Sequence, residues 1–268
     1  MKIGSIVINS FIVLIIIYLL IIFFISFYQR KLLYHPGENN YLDQNTLNHK
    51  IEKVYINSDE KLIGWYFKKN KNFKTLLFFH GNAGKIDNRI YKLNEFSKMD
   101  INYLIFAYRG FSGNSGKPYE KGLYRDAKAA KLWLNKKNIL DEQIILYGES
   151  LGTAVAVDLA TENNFAGIIL ESPFTSMTEL AKKYYPYLPV KLILKDKFDS
   201  IKKLNLIEAP ILIMHGKKDK IVPFNMGLRI YESANNPKFS YFNTNDDHMM
   251  DFNNDMISSL KNFIKYTN

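Results

Sequence analysis

Residues 148–152 read Gly-Glu-Ser-Leu-Gly and fit G-x-S-x-G around Ser150. This is the setting of a nucleophile. A strand turning sharply into a helix strains the central residue and crowds its neighbours, so glycine flanks it and the hydroxyl stands exposed above the sheet. A serine hydroxyl is a poor nucleophile at its own pKa. It needs a base to take its proton and an acid to hold that base in one tautomer. The chain offers 5 histidines. His35 lies beside an apolar N-terminal stretch and His49 in the loop after it, while His80 and His215 stand at strand ends beside glycine; each reads as a surface or packing residue. His248, at the end of Asn243-Thr244-Asn245-Asp246-Asp247-His248, follows the last strand and can hang over the strand tips.

For the acid, Asp219 sits in His215-Gly216-Lys217-Lys218-Asp219-Lys220-Ile221-Val222-Pro223, just beyond a strand. Alone it also reads as a turn-forming aspartate ahead of Val-Pro. The order Ser150, Asp219, His248 matches nucleophile, acid, base, and all three would meet at the carboxyl edge of one sheet. Glu171, at the end of the preceding strand, is the rival acid. Asp246 and Asp247 lie too near His248 in sequence to orient it and are expected to shape its loop.

The elements that must position these residues alternate. Strands are expected at Lys53–Ile56, Leu62–Phe67, Thr75–Phe79, Ile101–Tyr108, Ile144–Tyr147, Gly167–Leu170, Pro210–Met214 and Lys238–Asn243, with helices near 85–98, 120–137, 151–162, 225–233 and 251–266. On the second helix Leu123, Ala127, Ala130 and Leu134 share one side. The fold class is α/β: a mainly parallel sheet of about eight strands flanked by helices. Segment 172–208 is irregular, with a short helix at Met177–Tyr184, a turn at Tyr185-Pro186-Tyr187-Leu188-Pro189, and Val190–Lys195.

Before this domain, Ile3–Tyr28 carries no charge, and Ile6–Ile25 is broken only by Asn9 and Ser10. As a helix that block reaches roughly 30 Å, enough to cross the hydrocarbon core of a bilayer. A cleaved signal peptide would have a shorter apolar stretch and a small-x-small site, and Phe23-Phe24-Ile25-Ser26-Phe27-Tyr28-Gln29 offers none. The expected organisation is an anchor at 1–34, a linker at 35–50 and a catalytic domain at 51–268 with a short cap at 172–208. Lys2 on one side and Arg30-Lys31 on the other leave the orientation open.

A chain of 268 residues with 47% hydrophobic and 15% aromatic content is not a disordered protein. It has 0 cysteines, which excludes disulfides, thiol nucleophiles and cysteine metal sites. The net charge of +10 comes mostly from scattered lysines, arginine standing only at 30, 89, 109, 125 and 229. No Arg and aromatic stripe or recognisable module points to nucleic acid.

His80-Gly81-Asn82-Ala83-Gly84, Tyr108-Arg109-Gly110-Phe111-Ser112-Gly113, Gly148–Gly152, Leu170-Glu171-Ser172-Pro173-Phe174, His215–Asp219 and His248 together resemble the α/β-hydrolase superfamily. Within it the chain is similar to the N-terminally membrane-anchored bud-emergence-type serine hydrolases. The likeness spans about residues 51–266. It implies a Ser-His-Asp hydrolase acting on carboxyl esters or thioesters, without metal or organic cofactor. It also implies an oxyanion hole of two backbone N–H groups, at Leu151 after the nucleophile and at Asn82 in the loop after the third strand. His80 then shapes that loop. Asp246-Asp247-His248-Met249-Met250 departs from the glycine-rich approach to the histidine frequent in the superfamily. The short, aromatic segment 172–208 suits an apolar acyl group, and the anchor makes lipid substrates plausible. A serine peptidase on the same fold, or a catalytically silent membrane-tethered protein, are the other readings.

Overall fold

The computed structural model describes residues 2–37 and 47–267. It begins with α1 (Lys2–Leu33), whose stretch Ile6–Leu33 is long and apolar enough to cross a membrane and leaves most of its large apolar side chains uncovered, Ile22, Ile25 and Leu33 being partly buried. Of the linker expected at 35–50, residues 38–46 lie outside the described residues.

Eight strands form one sheet: β1 (Glu52–Asn57), β2 (Lys61–Phe67), β3 (Thr75–Phe79), β4 (Asn102–Phe106), β5 (Ile144–Glu149), β6 (Gly167–Glu171), β7 (Ile211–Gly216) and β8 (Lys238–Asn243). Their spatial order is β8-β7-β6-β5-β3-β4-β2-β1. β2 runs antiparallel to both β1 and β4, and every other pairing is parallel. The helices are α2 (Ile90–Lys98), α3 (Glu120–Lys136), α4 (Leu151–Ala160), α5 (Met177–Tyr184), α6 (Val190–Ile193), α7 (Phe224–Ser233) and α8 (Asn254–Thr267).

Every residue of β3 to β7 is buried, because helices cover both faces of a parallel sheet and no side of these strands meets water. Edge strand β1 instead alternates over its second half, with Val54 and Ile56 buried between exposed neighbours. Leu123, Ala127, Ala130 and Leu134 are the buried side of α3. Fully burying an apolar side chain of this size stabilises by about 1.5–3 kcal/mol for the larger ones, so these strand and helix faces carry the fold.

Element ends differ from the sequence expectation for local reasons. β4 stops at Phe106 rather than Tyr108 because the Tyr108 N–H turns to His80 Nε2 at 3.3 Å. β7 runs on through His215-Gly216 because those residues pair with Phe242-Asn243. α8 starts at Asn254, not Asp251, since Asn253 Oδ1 accepts the N–H groups of Asp255 and Met256 at 3.1 and 3.0 Å, a side-chain N-cap.

The end of α1 is fastened to the segment between β6 and β7. Gln29 is buried, donating to the Ile193 carbonyl at 3.0 Å and accepting the Lys195 N–H at 2.8 Å. Arg30 grips both oxygens of Asp196, Nε–Oδ2 at 2.8 Å and the second nitrogen to Oδ1 at 3.0 Å. Tyr34, 3% exposed, donates to the same carboxylate at 3.1 Å. His35-Pro36 then pairs in parallel with Ala83-Gly84.

Candidate active site

Ser150 lies between the last residue of β5 and the first of α4 with φ 51° and ψ −113°, a left-handed conformation that strains a residue bearing a Cβ. The turn is this tight because α4 presses on the neighbouring strand: a Cβ on Gly152 would stand 2.0 Å from the Phe79 carbonyl oxygen. Strand hydrogen bonding holds the bend, the Ser150 N–H donating to the Glu171 carbonyl at 2.9 Å. Ser150 itself is half-buried.

Ser150 Oγ lies 3.0 Å from His248 Nε2, and His248 Nδ1 lies 2.7 Å from Asp219 Oδ2. An ionised Asp219 accepts only, which places the imidazole proton on Nδ1 and leaves the Nε2 lone pair facing the hydroxyl. The structure thus brings Ser150, Asp219 and His248 together from the ends of three strands. Asp219 is held by more than His248: Ile221 and Val222 N–H groups donate to Oδ1, each at 2.8 Å, and His215 Nε2 lies 3.2 Å from Oδ2. Burial alone would raise the Asp219 carboxyl, but the hydrogen bonds from His215, His248 and Val222 and the charge of His248 outweigh it and hold it well below the usual carboxylate range. Such a chain can move a proton from hydroxyl to imidazole.

Glu171 is placed elsewhere. Its carboxylate is bound by Lys92 Nζ at 2.6 and 2.7 Å and by the Tyr147 hydroxyl. Lys92 Nζ also meets Glu149 Oε2 at 2.7 Å, and Arg89 meets Glu149 Oε1 at 2.6 Å. Glu149 and Glu171 are direct cross-strand partners on β5 and β6, where like charges repel, and a lysine with no exposed side-chain surface bridges the pair from α2 while Arg89 supplies the second positive charge. Burial would raise Glu149, yet Lys92 and Arg89 hold it well below the carboxylate range.

Leu151 and Asn82, the two oxyanion candidates, lie at the start of α4 and in the loop after β3. Leu151 opens α4, so its N–H has no acceptor within the helix. Asn82 follows β3 on a loop fixed from outside: its carbonyl accepts the His35 N–H at 3.2 Å and its side-chain amide donates to the Leu33 carbonyl. His80 beneath is fully buried, Nδ1 lying 2.8 Å from the Gly81 carbonyl and Nε2 accepting the Tyr108 N–H, a pairing only the neutral ring makes. Burial and the Arg89 charge lower it to about 3.

Three supporting groups escape a reading of the sequence. His215 reads as a residue beside glycine, yet it reaches Asp219; its position four residues before the acid, at a strand end, was the available sign. Ser172 donates from Oγ to the His248 carbonyl at 3.1 Å. The unusual Asp246-Asp247-His248 approach has a counterpart in Gly216, where a Cβ would stand 2.4 Å from both the Asp246 and Asp247 carbonyl oxygens. The glycine that lets the acid and histidine loops close is on the acid side.

Residues 90–267 match the model of the prolyl oligopeptidase family. An uncharacterized protein of Mycobacterium tuberculosis is 36% identical over 215 residues, covering 78% of this chain and 76% of its own. Alpha/beta hydrolase domain-containing protein 17B of Homo sapiens is 39% identical over 171 residues, 61% of this chain and 56% of that protein. Among solved structures, an esterase of Pyrococcus furiosus superimposes with a TM-score of 0.71 at 20% identity, covering 87% of this chain and 97% of that one, a likeness of fold. With an eight-stranded mixed sheet in the order described, the chain belongs to the prolyl oligopeptidase family of the α/β-hydrolase superfamily and is an α/β-family hydrolase.

Proposed function

We propose that the protein is a membrane-anchored serine hydrolase that cleaves carboxyl ester or thioester bonds through Ser150, His248 and Asp219. The observation that carries this reading is the unbroken hydrogen-bond chain from a strained Ser150 Oγ through His248 to Asp219, at 3.0 and 2.7 Å. His248 Nε2 takes the Ser150 proton as Oγ attacks the acyl carbonyl carbon, and the carbonyl electron pair moves onto oxygen. That oxyanion is received by the N–H groups of Asn82 and Leu151; losing one such donor typically costs about 10²–10³ in turnover. Collapse expels the alcohol or thiol with the proton held on His248. Water then loses a proton to the same nitrogen, attacks the acyl-enzyme, and frees the acid and Ser150.

Retention of the membrane helix is supported by its docking: Gln29, Arg30 and Tyr34 hold the catalytic fold, which a cleaved leader would not do. The organisation we propose is an anchor at 1–34 joined to a catalytic domain at 51–268 capped by 172–208. The substrate is a small-molecule or lipid acyl compound.

The test is labelling by a fluorophosphonate together with turnover of p-nitrophenyl butyrate. Ser150→Ala and His248→Ala are expected to abolish both. Labelling of Ser150→Ala at the native level would overturn the assignment, and faster turnover of a peptide amide than of the ester would move it to peptidase chemistry.

A further inference from the structure

A cavity of about 200 Å³ lies between the end of α1 and the capping segment, lined from α1 by Ile25, Gln29, Leu32 and Leu33, and otherwise by apolar and tyrosine side chains of 177–194 and by Ile221. Among the described residues its lining carries no charge. It is smaller than the roughly 300–1,000 Å³ that encloses a whole ligand, and suits a length of hydrocarbon rather than a head group. Two of its walls reach the catalytic groups. Leu33 gives its carbonyl to the Asn82 side chain, and Ile221 gives its N–H to Asp219 at 2.8 Å while also lining the cleft that contains His248.

The same segment climbs the membrane helix. Gln29 binds the Ile193 carbonyl, and Tyr18 donates to the Tyr187 carbonyl at 2.6 Å. Tyr18 precedes Gln29 by 29 − 18 = 11 residues, roughly 16 Å along a helix at 1.5 Å per residue. Tyr18 lies well inside the apolar block Ile6–Ile25, so Tyr187 stands at hydrocarbon depth when that block spans a bilayer. Tyr187 and Leu192 are 86% and 85% exposed, large apolar side chains with lipid as their natural surroundings.

We infer that α1 is a wall of the substrate site as well as an anchor: the capping segment dips into the leaflet, and the cavity receives the acyl chain of a substrate that enters sideways from the lipid phase. The carbonyl then lies at Ser150 while the chain runs along α1 toward Tyr18. This rests on the serine-hydrolase reading above.

Two measurements on the full chain in phosphatidylcholine vesicles test it. The first is the ratio of kcat/KM for p-nitrophenyl tetradecanoate to that for the butyrate. Ala181→Trp, which fills the cavity from α5, and Ile25→Trp, which fills it from α1, should each lower the ratio tenfold or more, and Leu132→Trp on the far face of α3 should leave it at the native value. The second uses the absence of cysteine: a polarity-sensitive fluorophore on Leu192→Cys should be quenched by a spin label on the lipid chains, and one on Leu132→Cys should not. A ratio unmoved by Ile25→Trp overturns the wall, whatever Ala181→Trp does, and an unquenched Leu192→Cys overturns entry from the lipid. Fluorophosphonate labelling of each variant reports that it is folded. Butyrate turnover or labelling missing from the native protein would instead overturn the serine-hydrolase reading, and this inference with it.

Discussion

Two acid–base clusters occupy the carboxyl end of the sheet, and consecutive residues feed them. Glu149 and Glu171 belong to one, Ser150 and the Ser172 contact to His248 belong to the other. Both hold a carboxylate below its ordinary pKa by surrounding it with donors. They differ in what faces it. In the first cluster burial alone would lower Lys92, but the two glutamates outweigh it and push the ammonium above its ordinary value, so this cluster is a fixed clamp. His248 instead presents Nε2 to the Ser150 hydroxyl at 3.0 Å with Asp219 behind Nδ1 at 2.7 Å, an arrangement through which a proton can pass, and that is what we propose the second cluster does. A depressed carboxylate alone is no mark of a catalytic acid; a partner ring that joins it to a hydroxyl is.

The sharpest way to break this distinction is in the second cluster. Ser150→Ala and His248→Ala should lower ester turnover by about 10⁴–10⁶-fold, and Asp219→Asn by about 10⁴, because Nδ1 then faces an amide and the wrong tautomer becomes available. The urea midpoint should move little in the first two, since half-buried side chains are exchanged there. In the first cluster the pattern should invert. Glu171→Gln should keep turnover within about tenfold of native while losing stability. If it is dead and Asp219→Asn is active, the two clusters have been given each other's roles.

Lys92→Met carries the inversion further. Removing the cation that bridges both glutamates leaves two buried carboxylates opposed across β5 and β6 with Arg89 facing only Glu149, a change that costs about 3–5 kcal/mol. Thermal unfolding should fall by about 10 °C or more, and the shift should shrink when Glu171→Gln is added, because the second change removes the charge that the first exposed. An additive pair would show that Lys92 acts only through its packing.

These two regions were unequally legible in the amino-acid sequence. Ser150 announces itself through glycines that a turn demands, and the strands' positions along the chain follow from apolar runs whose spacing is local, whereas their spatial order does not. The clamp offers no such sign: Lys92 and Glu171 are 79 positions apart, and nothing near Lys92 distinguishes it from the lysines on the surface. The same holds where α1 meets the fold. Gln29 and Arg30 look like the polar flank of any membrane helix, and their partners at Ile193 and Asp196 stand more than 160 residues away. Polar pairings of high sequence separation leave no periodicity to read, whereas buried strands and caps do.

His80 gives the smallest and most specific test, because it is a base in the loop between β3 and Asn82 that burial keeps neutral down to low pH. An unfolded histidine binds its proton below about pH 6.5. In the folded chain burial and Arg89 lower His80 to about 3, so between these values the unfolded state holds the extra proton. Its contribution to stability is therefore complete above about pH 6.5 and is lost as the pH falls toward 3, at up to about 1.4 kcal/mol per pH unit. Asp219 and Glu149, also lowered, add their losses only below the ordinary carboxylate range, near pH 4 and under. Urea unfolding between pH 6.5 and 4.5 thus reads the histidines that burial lowers, His80 and the half-buried His49, and the part of the slope that a His80 substitution removes belongs to His80. His80→Gln should lower stability at pH 7, since the Gly81 and Tyr108 partners are disturbed, and flatten the slope in that window. A slope as steep as native would mean that His80 takes up its proton in the folded state, and that the loop carrying Asn82 is not held by a neutral ring.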